Sequence, residues 1–370
     1  MAPSTFTQIV LAERPTEYIL PSTFEKKTVP YVSPNDNQAV VQVDYLSMEP
    51  AMRGWLNDQR SYVPPGAQST CSWLIRSPTR FVRRAVQIGE VMRSAVLGRI
   101  VEAGKDSAFN VGDVVKGYLG WTEYVLLDDE IIKTKQVSKV DVPPKAELLD
   151  LLGVLGSSGM TAYFVRSGLY DVGKIKAGET LVVSGAAGAV GSVACQLGKI
   201  RGARVIGIAG SDDKCSWLKD ELGVDAALNY KSATFHDDFR KHVGFFDVFF
   251  DNVGGEILDF ALTRMNKDAR ILLSGAISDY NKSKPSGLRN YQLLIATRAK
   301  IQGFIVLDYV DQWPAAGAEM AAWLAEGKIK RKFTVVEGLD HATDALSMLY
   351  SGGNTGKTIV KVRTMKKGNL

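Results

Sequence analysis

The sequence predicts an α/β protein of two domains, an all-β domain and a doubly wound parallel sheet. The chain has 370 residues, 45% of them hydrophobic, which is enough for two separate cores. Residues 1–150 carry short alternating apolar segments, such as residues 39–43, broken by proline and glycine turns as in antiparallel sheets. From residue 151 onward, strand-like segments alternate with helical patterns, as in parallel βαβ units.

The parallel sheet is predicted from six strands in chain order. Residues 180–184 form the first strand, and a glycine turn leads from it into a helix whose apolar positions recur at helical spacing up to Ile200. The other elements predicted for this domain are strands at 204–209, 226–228, 246–250, 270–273 and 300–305 and a helix at 212–222. A final strand at 333–336, a helix at 341–350 and a strand at 358–362 are predicted to return to the first domain. The predicted domains are therefore 1–150 with 335–370, and 151–334.

Cysteine content and hydropathy predict a cytoplasmic protein. Cys71, Cys195 and Cys215 are too few and too widely spaced for a disulfide framework or a four-thiolate metal site. The N-terminus lacks the continuous apolar stretch of a signal peptide, and no run of about eighteen apolar residues could span a membrane. We therefore predict no membrane partner.

The formal net charge of +5 is mostly local. Residues 66–85 carry four arginines and no acidic residue, and without those four charges the net charge falls from +5 to +1. A nucleic-acid partner is favoured by a broad basic surface, which this distribution does not predict. We therefore predict no nucleic-acid partner.

A glycine-rich turn between the first strand and its helix predicts a dinucleotide site. Residues 184–191 read Ser-Gly-Ala-Ala-Gly-Ala-Val-Gly, with glycine at every third position. Small residues let the backbone approach a pyrophosphate, and the helix N-terminus supplies N–H donors and positive potential. The alternative is that the glycines only allow the helix to pack closely against its strand. The predicted contacts are Gly185, Ala187, Gly188, Ala189, Val190 and Gly191.

The residues after the second strand bear on which nicotinamide cofactor binds. NAD-binding proteins usually place a carboxylate there, against the ribose 2′-hydroxyl. Here the strand is followed by Gly210 and Ser211, and then by Asp212, Asp213 and Lys214. Because Lys214 can pair with a 2′-phosphate, the predicted cofactor is NADPH. The alternative is that these charges form an ordinary acidic first turn of a helix.

Motifs along nearly the whole chain resemble one family. They are Glu-Pro-Ala-Met-Arg-Gly at 49–54, Gly-Glu-Val-Met-Arg at 89–93, Gly-Trp-Thr-Glu-Tyr at 120–124, Gly-Met-Thr-Ala-Tyr at 159–163, the glycine turn, Asp-Asn-Val-Gly-Gly at 251–255, Gly-Ala-Ile-Ser at 275–278, Gly-Phe-Ile-Val at 303–306 and Asn-Thr-Gly-Lys at 354–357. The chain resembles the leukotriene B4 dehydrogenase, prostaglandin reductase and alkenal double-bond reductase branch of the medium-chain dehydrogenases/reductases. The resemblance implies a GroES-like β domain and a Rossmann domain with the active site in the cleft between them. It also implies NADPH-dependent reduction of the carbon–carbon double bond of small α,β-unsaturated ketones or aldehydes.

The resemblance assigns further cofactor contacts by position. Lys214 and Tyr230 match contacts to the 2′-phosphate, and Asn354 matches a C-terminal cofactor contact. Without the resemblance, Tyr230 would be an ordinary aromatic residue at a strand end. The matches along the nicotinamide side are Asn252, Ala276, Ile277, Phe304 and Val306.

Tyr280 is the predicted catalytic residue, because it matches a family tyrosine near the nicotinamide. Hydride delivered to the β-carbon leaves an enolate, and the tyrosine hydroxyl could donate to its oxygen or relay a proton to the α-carbon. The alternative is that Tyr280 only lines the pocket. Trp55, Tyr62 and Tyr291 are predicted as pocket aromatics by the same resemblance, whereas isolated aromatics usually serve packing.

A catalytic zinc is not predicted. Such a site needs three cysteine, histidine or carboxylate ligands around an open position. None of the three histidines, at positions 236, 242 and 341, lies in residues 1–150, and the one cysteine there is Cys71. We therefore predict a reaction without a metal.

Two segments depart from the family pattern. Residues 66–85 form an atypical insertion before Val86, and residues 165–167 form a shorter one within a predicted helix. One hypothesis is that both come from a translated intron or a mispredicted exon, and both could impair activity. A quinone reductase of the same superfamily and a catalytically impaired NADPH-binding protein are the alternative functions. The family is commonly dimeric, which makes a homodimer a possible assembly.

Overall fold

The structure, a computed structural model, describes residues 2–57, 85–134, 136–167 and 173–363. Tyr62 and all of the insertion except Ala85 lie outside the described residues. The chain divides into two units by its contacts. The first comprises Met1–Asp141, Thr334–Ser351 and Thr358–Leu370, and the second comprises Val142–Phe333 and Gly352–Lys357.

The secondary structure alternates between a strand-rich part and a mixed part. The strands are β1 (Thr5–Leu11), β2 (Phe24–Pro30), β3 (Ala39–Ser47), β4 (Ala95–Ala103), β5 (Val114–Tyr118), β6 (Tyr124–Leu127), β7 (Val137–Lys139), β8 (Thr180–Val183), β9 (Arg204–Ala209), β10 (Ala226–Asn229), β11 (Phe246–Asp251), β12 (Met265–Leu273), β13 (Lys300–Gly303), β14 (Phe333–Glu337) and β15 (Lys357–Lys361). The helices are α1 (Met52–Trp55), α2 (Asp129–Lys133), α3 (Ser157–Ser167), α4 (Ala189–Ile200), α5 (Asp212–Asp220), α6 (Phe235–His242), α7 (Gly255–Ala261), α8 (Leu293–Thr297), α9 (Trp313–Ala325) and α10 (Ala342–Ser351). Within the described ranges, no helix combines the length and apolarity needed to cross a bilayer.

The first unit is built on β-sheets. β1 and β2 form an antiparallel pair, and a seven-stranded sheet runs in the order β14-β15-β3-β4-β5-β7, with β6 paired to β3. Alternate residues of β3, including Val41 and Val43, are fully buried, as expected for a strand with one face on a core. Ala345 and Leu346 of α10 join the same core. β15 and α10 therefore both pack within the first unit.

The second unit contains a six-stranded parallel sheet in the order β10-β9-β8-β11-β12-β13. Its central strands are buried on both faces: Val183 and Phe250 contribute to one core cluster, and Val182 and Phe249 to another. The chain runs outward from β8 in one direction and from β11 in the other. This order confirms the predicted doubly wound fold class, in which ligands bind at the carboxyl ends of the strands near the switch point.

The largest difference from the predicted elements is the start of β12. This strand begins at Met265 rather than at residue 270. Lys267 and Asp268 are exposed and polar, so they gave no strand signal, yet Met265 still pairs with Phe246 of β11 across an irregular register. A polar, exposed strand start is therefore the part that hydropathy alone does not detect.

Two buried arginines fix the chain on either side of the insertion. Arg53 is 2% exposed and donates to the side-chain Oδ1 of Asn57 at 2.6 Å. Arg93 is also 2% exposed and donates to the carbonyl oxygen of Ala85 at 3.2 Å. Asn57 and Ala85, the described residues nearest to 58–84, are thus each bonded to a buried arginine.

Removal of residues 66–84 is expected to preserve the fold of the first unit. The N–H of Val86 donates to the carbonyl oxygen of Trp55 at 2.8 Å, so the ends of the intervening loop are in contact. Shortening that loop from about thirty to about eleven residues lowers its closure cost by about 1 kcal/mol. We expect the melting temperature of the deletion variant, measured by calorimetry, to stay within about 5 °C of the full chain. Loss of a cooperative transition would show that the segment belongs to the core.

Candidate cofactor site

The predicted cofactor contacts of the second unit, and the predicted catalytic residue Tyr280, follow the carboxyl ends of its parallel strands. In the order of β8 to β13 they are the turn at 184–191, Lys214, Tyr230, Asn252, Ala276 with Ile277 and Tyr280, and Phe304 with Val306. The carboxyl ends of parallel strands lie at one edge of a sheet, where ligands of this fold class bind. The structure therefore brings these residues to a single edge.

The turn between β8 and α4 has the backbone geometry of a pyrophosphate site. Gly185 has φ +57°, a conformation that side-chain-bearing residues rarely adopt. A Cβ on Gly191 would lie 2.3 Å from the carbonyl oxygen of Gly185, so α4 approaches the turn as only glycine permits. Gly188 is the N-cap of the twelve-residue α4, and no side chain caps the helix there. The first N–H groups of α4 could thus bind an anion without competition from a capping side chain at Gly188.

The segment at 352–357 is bonded to this turn. The N–H of Gly356 donates to the carbonyl oxygen of Ala187 at 2.7 Å, and Gly356 forms a parallel bridge with Gly188. Asn354 donates from Nδ2 to the carbonyl oxygen of Gly356 at 3.1 Å. The structure therefore places the predicted contact Asn354 beside the glycine turn, although more than 160 residues of sequence separate them. Ala189 and Val190 are half-buried in the first turn of α4.

Lys214 and Lys231 follow β9 and β10, which are neighbouring strands of the parallel sheet. The Lys214 ammonium donates to the carbonyl oxygen of Gly352 at 2.7 Å, and the backbone N–H of Lys214 donates to the N-cap hydroxyl of Ser211 at 3.4 Å. Burial lowers the pKa of Lys214, and the positive charge of Lys231 lowers it further. A bound anion offsets the repulsion between two positive charges, and it is therefore favoured beside them. This arrangement suits a phosphate.

Tyr230 lies beside Lys231, one of these two lysines. Its ring lies against Gly210, where a Cβ would come within 3.0 Å of the ring. The Lys231 ammonium lies 5.8 Å from the centre of the same ring. Lys231 was not among the residues predicted from the sequence. Its position directly after Tyr230 at a strand end is the signal that could have identified it.

Replacing Lys214 or Lys231 with alanine is expected to weaken the use of NADPH and not that of NADH. Each change removes a charge-assisted contact to the 2′-phosphate, which corresponds to about a 10- to 30-fold rise in KM for NADPH. NADH lacks that phosphate, so its KM is expected to change little. Steady-state kinetics with both cofactors measures the ratio. Lys219→Ala, an exposed lysine in the last turn of the same helix, is the matched control. An unchanged NADPH-to-NADH ratio in both lysine variants would place the phosphate elsewhere.

The loops after β11 and β12 are bonded to each other. The amide nitrogen Nδ2 of Asn252 donates to the carbonyl oxygen of Ser184 at 2.7 Å, and the N–H of Ile277 donates to the carbonyl oxygen of Asn252 at 3.3 Å. The N–H of Ala276 donates to the hydroxyl oxygen of Tyr280 at 3.2 Å. The four residues predicted on the nicotinamide side after these strands therefore form one connected group.

The Tyr280 phenol keeps its proton in this environment. Burial raises its pKa; the N–H of Ala276 acts in the opposite direction, and the charge of Asp251 raises the pKa again. Because the hydroxyl oxygen already accepts a hydrogen bond from Ala276, its own O–H is the group left to donate. Tyr280 therefore has the protonation state of a hydrogen-bond donor.

The remaining predicted residues have more varied surroundings. The N–H of Phe304 donates to the carbonyl oxygen of Leu273 at 3.2 Å, and Phe304 and Val306 both pack half-buried against the core. Tyr291 is 55% exposed, whereas Trp55 is 6% exposed within the core of the first unit. The pocket roles of Trp55, Tyr62 and Tyr291 remain predictions.

Comparisons with known proteins identify the family. A model described as zinc-binding dehydrogenase matches residues 189–323, and one described as the N-terminal domain of oxidoreductase matches residues 7–70 and 75–137. A putative NADP-dependent oxidoreductase of Bacillus subtilis is 39% identical over 363 residues, covering 96% of this chain and 97% of that protein. The chain belongs to the medium-chain dehydrogenase/reductase family. The second family match leaves out residues 71–74, inside the insertion.

Other family members agree with the predicted cofactor. The NADPH-dependent curcumin reductase of Escherichia coli is 35% identical over 361 residues, covering 95% of this chain and 96% of that enzyme. The crystal structure of CurA from Vibrio vulnificus in complex with NADPH matches with a TM-score of 0.82 and 35% identity, covering 97% of this chain and 100% of CurA. The predicted family, fold class and NADPH-dependent oxidoreductase chemistry are consistent with these relatives.

The zinc named in the family description has no evident site in the part of the chain that the structure describes. No group of three or more histidine, cysteine, aspartate or glutamate side chains there could hold a metal ion. Cys71 lies outside that part. Chemistry without a metal therefore remains a prediction for this member of the family.

Proposed function

We propose that this oxidoreductase reduces the carbon–carbon double bond of α,β-unsaturated ketones and aldehydes with NADPH. The observation that carries the proposal is the hydroxyl group of Tyr280, which is protonated and can donate a hydrogen bond. Tyr280 lies at the same sheet edge as the glycine turn. A preorganised donor stabilises negative charge that develops on a carbonyl oxygen during reduction. This is the assistance that conjugate reduction needs in the absence of a metal.

The residues present fit NADPH. The uncapped N-terminus of α4 and the turn at Gly185 would hold the pyrophosphate, while Lys214, Lys231 and Tyr230 would hold the 2′-phosphate. When bound, NADPH supplies the hydride that the β-carbon of the substrate receives. The protein's own contribution is to hold the cofactor and to exclude competing orientations.

Tyr280 completes the reduction in this proposal. Its O–H donates to the substrate carbonyl oxygen, so the enolate that forms as the double bond is broken is stabilised there. The proton that balances the added hydride then reaches the α-carbon, from Tyr280 or through water. The net change is one hydrogen on each carbon of the former double bond.

The names of the relatives support the same substrate class. One is a curcumin reductase that depends on NADPH, and curcumin carries double bonds conjugated to carbonyl groups. The chain spans almost the full length of that enzyme, so neither unit of the fold is missing from the comparison. Enals share the conjugated geometry of enones, which is why both are included.

The test is NADPH oxidation by the purified full chain with benzylideneacetone, trans-2-hexenal and menadione as acceptors. We expect turnover with the first two and recovery of the saturated ketone and aldehyde by mass spectrometry. Benzylacetone, which has the ketone but no conjugated double bond, is the matched control and should not be reduced. Turnover with menadione alone would favour a quinone reductase. NADPH binding with no turnover would favour a catalytically impaired protein.

We also propose that the chain forms a homodimer through the β13 edge. β13 is the last strand in its sheet order, and Leu293 and Ile295 of the adjacent α8 are 37% and 79% exposed. Among the described residues no strand pairs with the outer side of β13. A strand edge without a partner strand and with apolar neighbours is a typical pairing surface for a second copy. Light scattering should give about twice the chain mass of 40.3 kDa; a mass of one chain would exclude this assembly.

A further inference from the structure

We infer that Asp251 is a positioning residue, which fixes Asn252 and the loop bearing Tyr280 in the geometry that hydride transfer requires. The inference rests on the proposed function of this sheet edge. It adds a residue that contacts neither substrate nor cofactor in the proposal and that acts through its neighbours.

The Asp251 carboxylate ties two strand ends together. Asp251 is the last residue of β11 and its side chain is fully buried. One carboxylate oxygen accepts from the Ser184 hydroxyl at 2.6 Å and from the N–H of Val253 at 3.1 Å, and the other accepts from the N–H of Gly254 at 2.9 Å. The carboxylate therefore links the end of β8, where the glycine turn begins, to the loop after β11.

Ser184 transmits this link to Asn252. The Ser184 hydroxyl donates to Asp251 and accepts from the backbone N–H of Asn252 at 2.9 Å. The Asn252 side-chain amide donates to the carbonyl oxygen of Ser184 at 2.7 Å. Both the backbone and the side chain of Asn252 are thus held by a serine whose own orientation is set by Asp251.

The main chain of Asp251 holds the next loop as well. Its carbonyl oxygen accepts from the N–H of Ser274 at 2.8 Å and from the N–H of Gly275 at 3.2 Å. Those residues begin the loop after β12, which continues to Tyr280. One residue therefore connects the turn, the nicotinamide-side asparagine and the catalytic tyrosine.

Asp247, at the opposite end of β11, provides a comparison within the same strand. Its carboxylate accepts from the N–H of Thr180 at the start of β8 at 2.8 Å and from Nδ2 of Asn266 at 2.8 Å. It thus makes the same kind of tie between β8 and β11, but at the amino ends of the strands, away from the ligand-binding edge. If Asp251 only held β8 and β11 together, its replacement would affect the kinetics in the same way as replacement of Asp247.

The test compares Asp251→Asn, Ser184→Ala and Asp247→Asn in the full-length protein. Each variant is assayed for kcat at saturating NADPH and benzylideneacetone, normalised to NADPH-binding sites by fluorescence titration. The kinetic isotope effect is measured with NADPH deuterated at C4 in each of the two configurations. Loss of stability lowers the amount of folded enzyme, which the normalisation removes, and it does not raise the isotope effect. Misplacement of the reacting groups raises it, because hydride transfer becomes slower relative to the other steps.

Asp251→Asn is expected to lower normalised kcat by about 10- to 100-fold and to raise the isotope effect, with the NADPH dissociation constant changed by less than about threefold. Ser184→Ala is expected to lower normalised kcat and to raise the isotope effect as well, each by a smaller factor than Asp251→Asn. Asp247→Asn is expected to lower the melting temperature and to leave normalised kcat and the isotope effect unchanged. Normalised kcat and isotope effects that match those of Asp247→Asn in both site variants would overturn the inference. If Asp251→Asn does not fold, the result for Ser184→Ala decides by the same criterion.

The outcome separates this inference from the proposed function. If the wild-type chain oxidises NADPH with menadione and not with enones, the same three variants are compared with menadione, and a raised isotope effect still supports the role of Asp251. If the wild type binds NADPH but reduces no acceptor, both the proposed function and the positioning role are wrong. Enone turnover with unaltered isotope effects in the variants contradicts the positioning role alone.

Discussion

Replacing Gly191 with alanine is expected to raise the dissociation constant for NADPH by at least about 100-fold, equivalent to about 3 kcal/mol. The new Cβ would lie 2.3 Å from the carbonyl oxygen of Gly185 and 2.8 Å from the Cα of Ala186. Both are backbone atoms and cannot rotate away, so the turn and the start of α4 must separate. That movement displaces the N–H groups that would bind the pyrophosphate. Titration of NADPH fluorescence with the purified variant measures the effect.

The control for this change is Gly317→Ala. Gly317 lies in α9, and the nearest atom to a Cβ there is Cε of Met160 at 3.9 Å, which is an ordinary contact. Alanine favours a helix over glycine by about 1 kcal/mol, so this variant should be as stable as the parent or more so and should bind NADPH normally. Binding by Gly191→Ala within threefold of the parent would mean that the turn does not contact the cofactor.

Replacing Tyr280 with phenylalanine is expected to lower kcat for enones by about 10- to 1000-fold, the range seen when one oxyanion donor is lost. The ring and its position remain, and only the hydroxyl that accepts from Ala276 is removed. NADPH affinity should change little, because the phenol is not among the groups proposed to hold the phosphates. Stopped-flow measurement of NADPH oxidation separates the chemical step from product release.

The matched control is Tyr163→Phe, which removes a tyrosine hydroxyl that donates to Glu319 on a neighbouring helix of the same unit. This variant should retain the parent kcat. Equal turnover by Tyr280→Phe and the parent at saturating NADPH would mean that Tyr280 only lines the pocket, which was the alternative open from the sequence.

Much of the fold could be predicted because its strongest signals are local. β9 was predicted at its observed bounds, since Arg204–Ala209 is a short run of β-branched and small residues between turn signals. The sheet order could follow from the alternation of strands and helices, together with the right-handed crossover of parallel units. The irregular start of β12 could not, because its exposed polar residues resemble a loop.

The candidate site was predictable only where it coincides with motifs. The glycine turn has a spacing with a physical cause, and the resemblance supplied residues such as Tyr280 by position. Asp251 was recognised as part of a motif, but its partner Ser184 lies 67 residues earlier. The local sequence around either residue therefore could not predict their hydrogen bond. The effect of the Lys231 charge on the pKa of Lys214 likewise depends on how β9 and β10 pair.

The place of β15 in the first unit has a consequence for synthesis of the protein. β15 lies between β14 and β3 in the seven-stranded sheet, yet it follows β3 in the chain by more than 300 residues. On the ribosome, residues 45–47 of β3 therefore lack their partner strand until β15 has been made. The parallel sheet of the second unit has all six of its strands by residue 303, so it can assemble before the sheet of the first unit is complete.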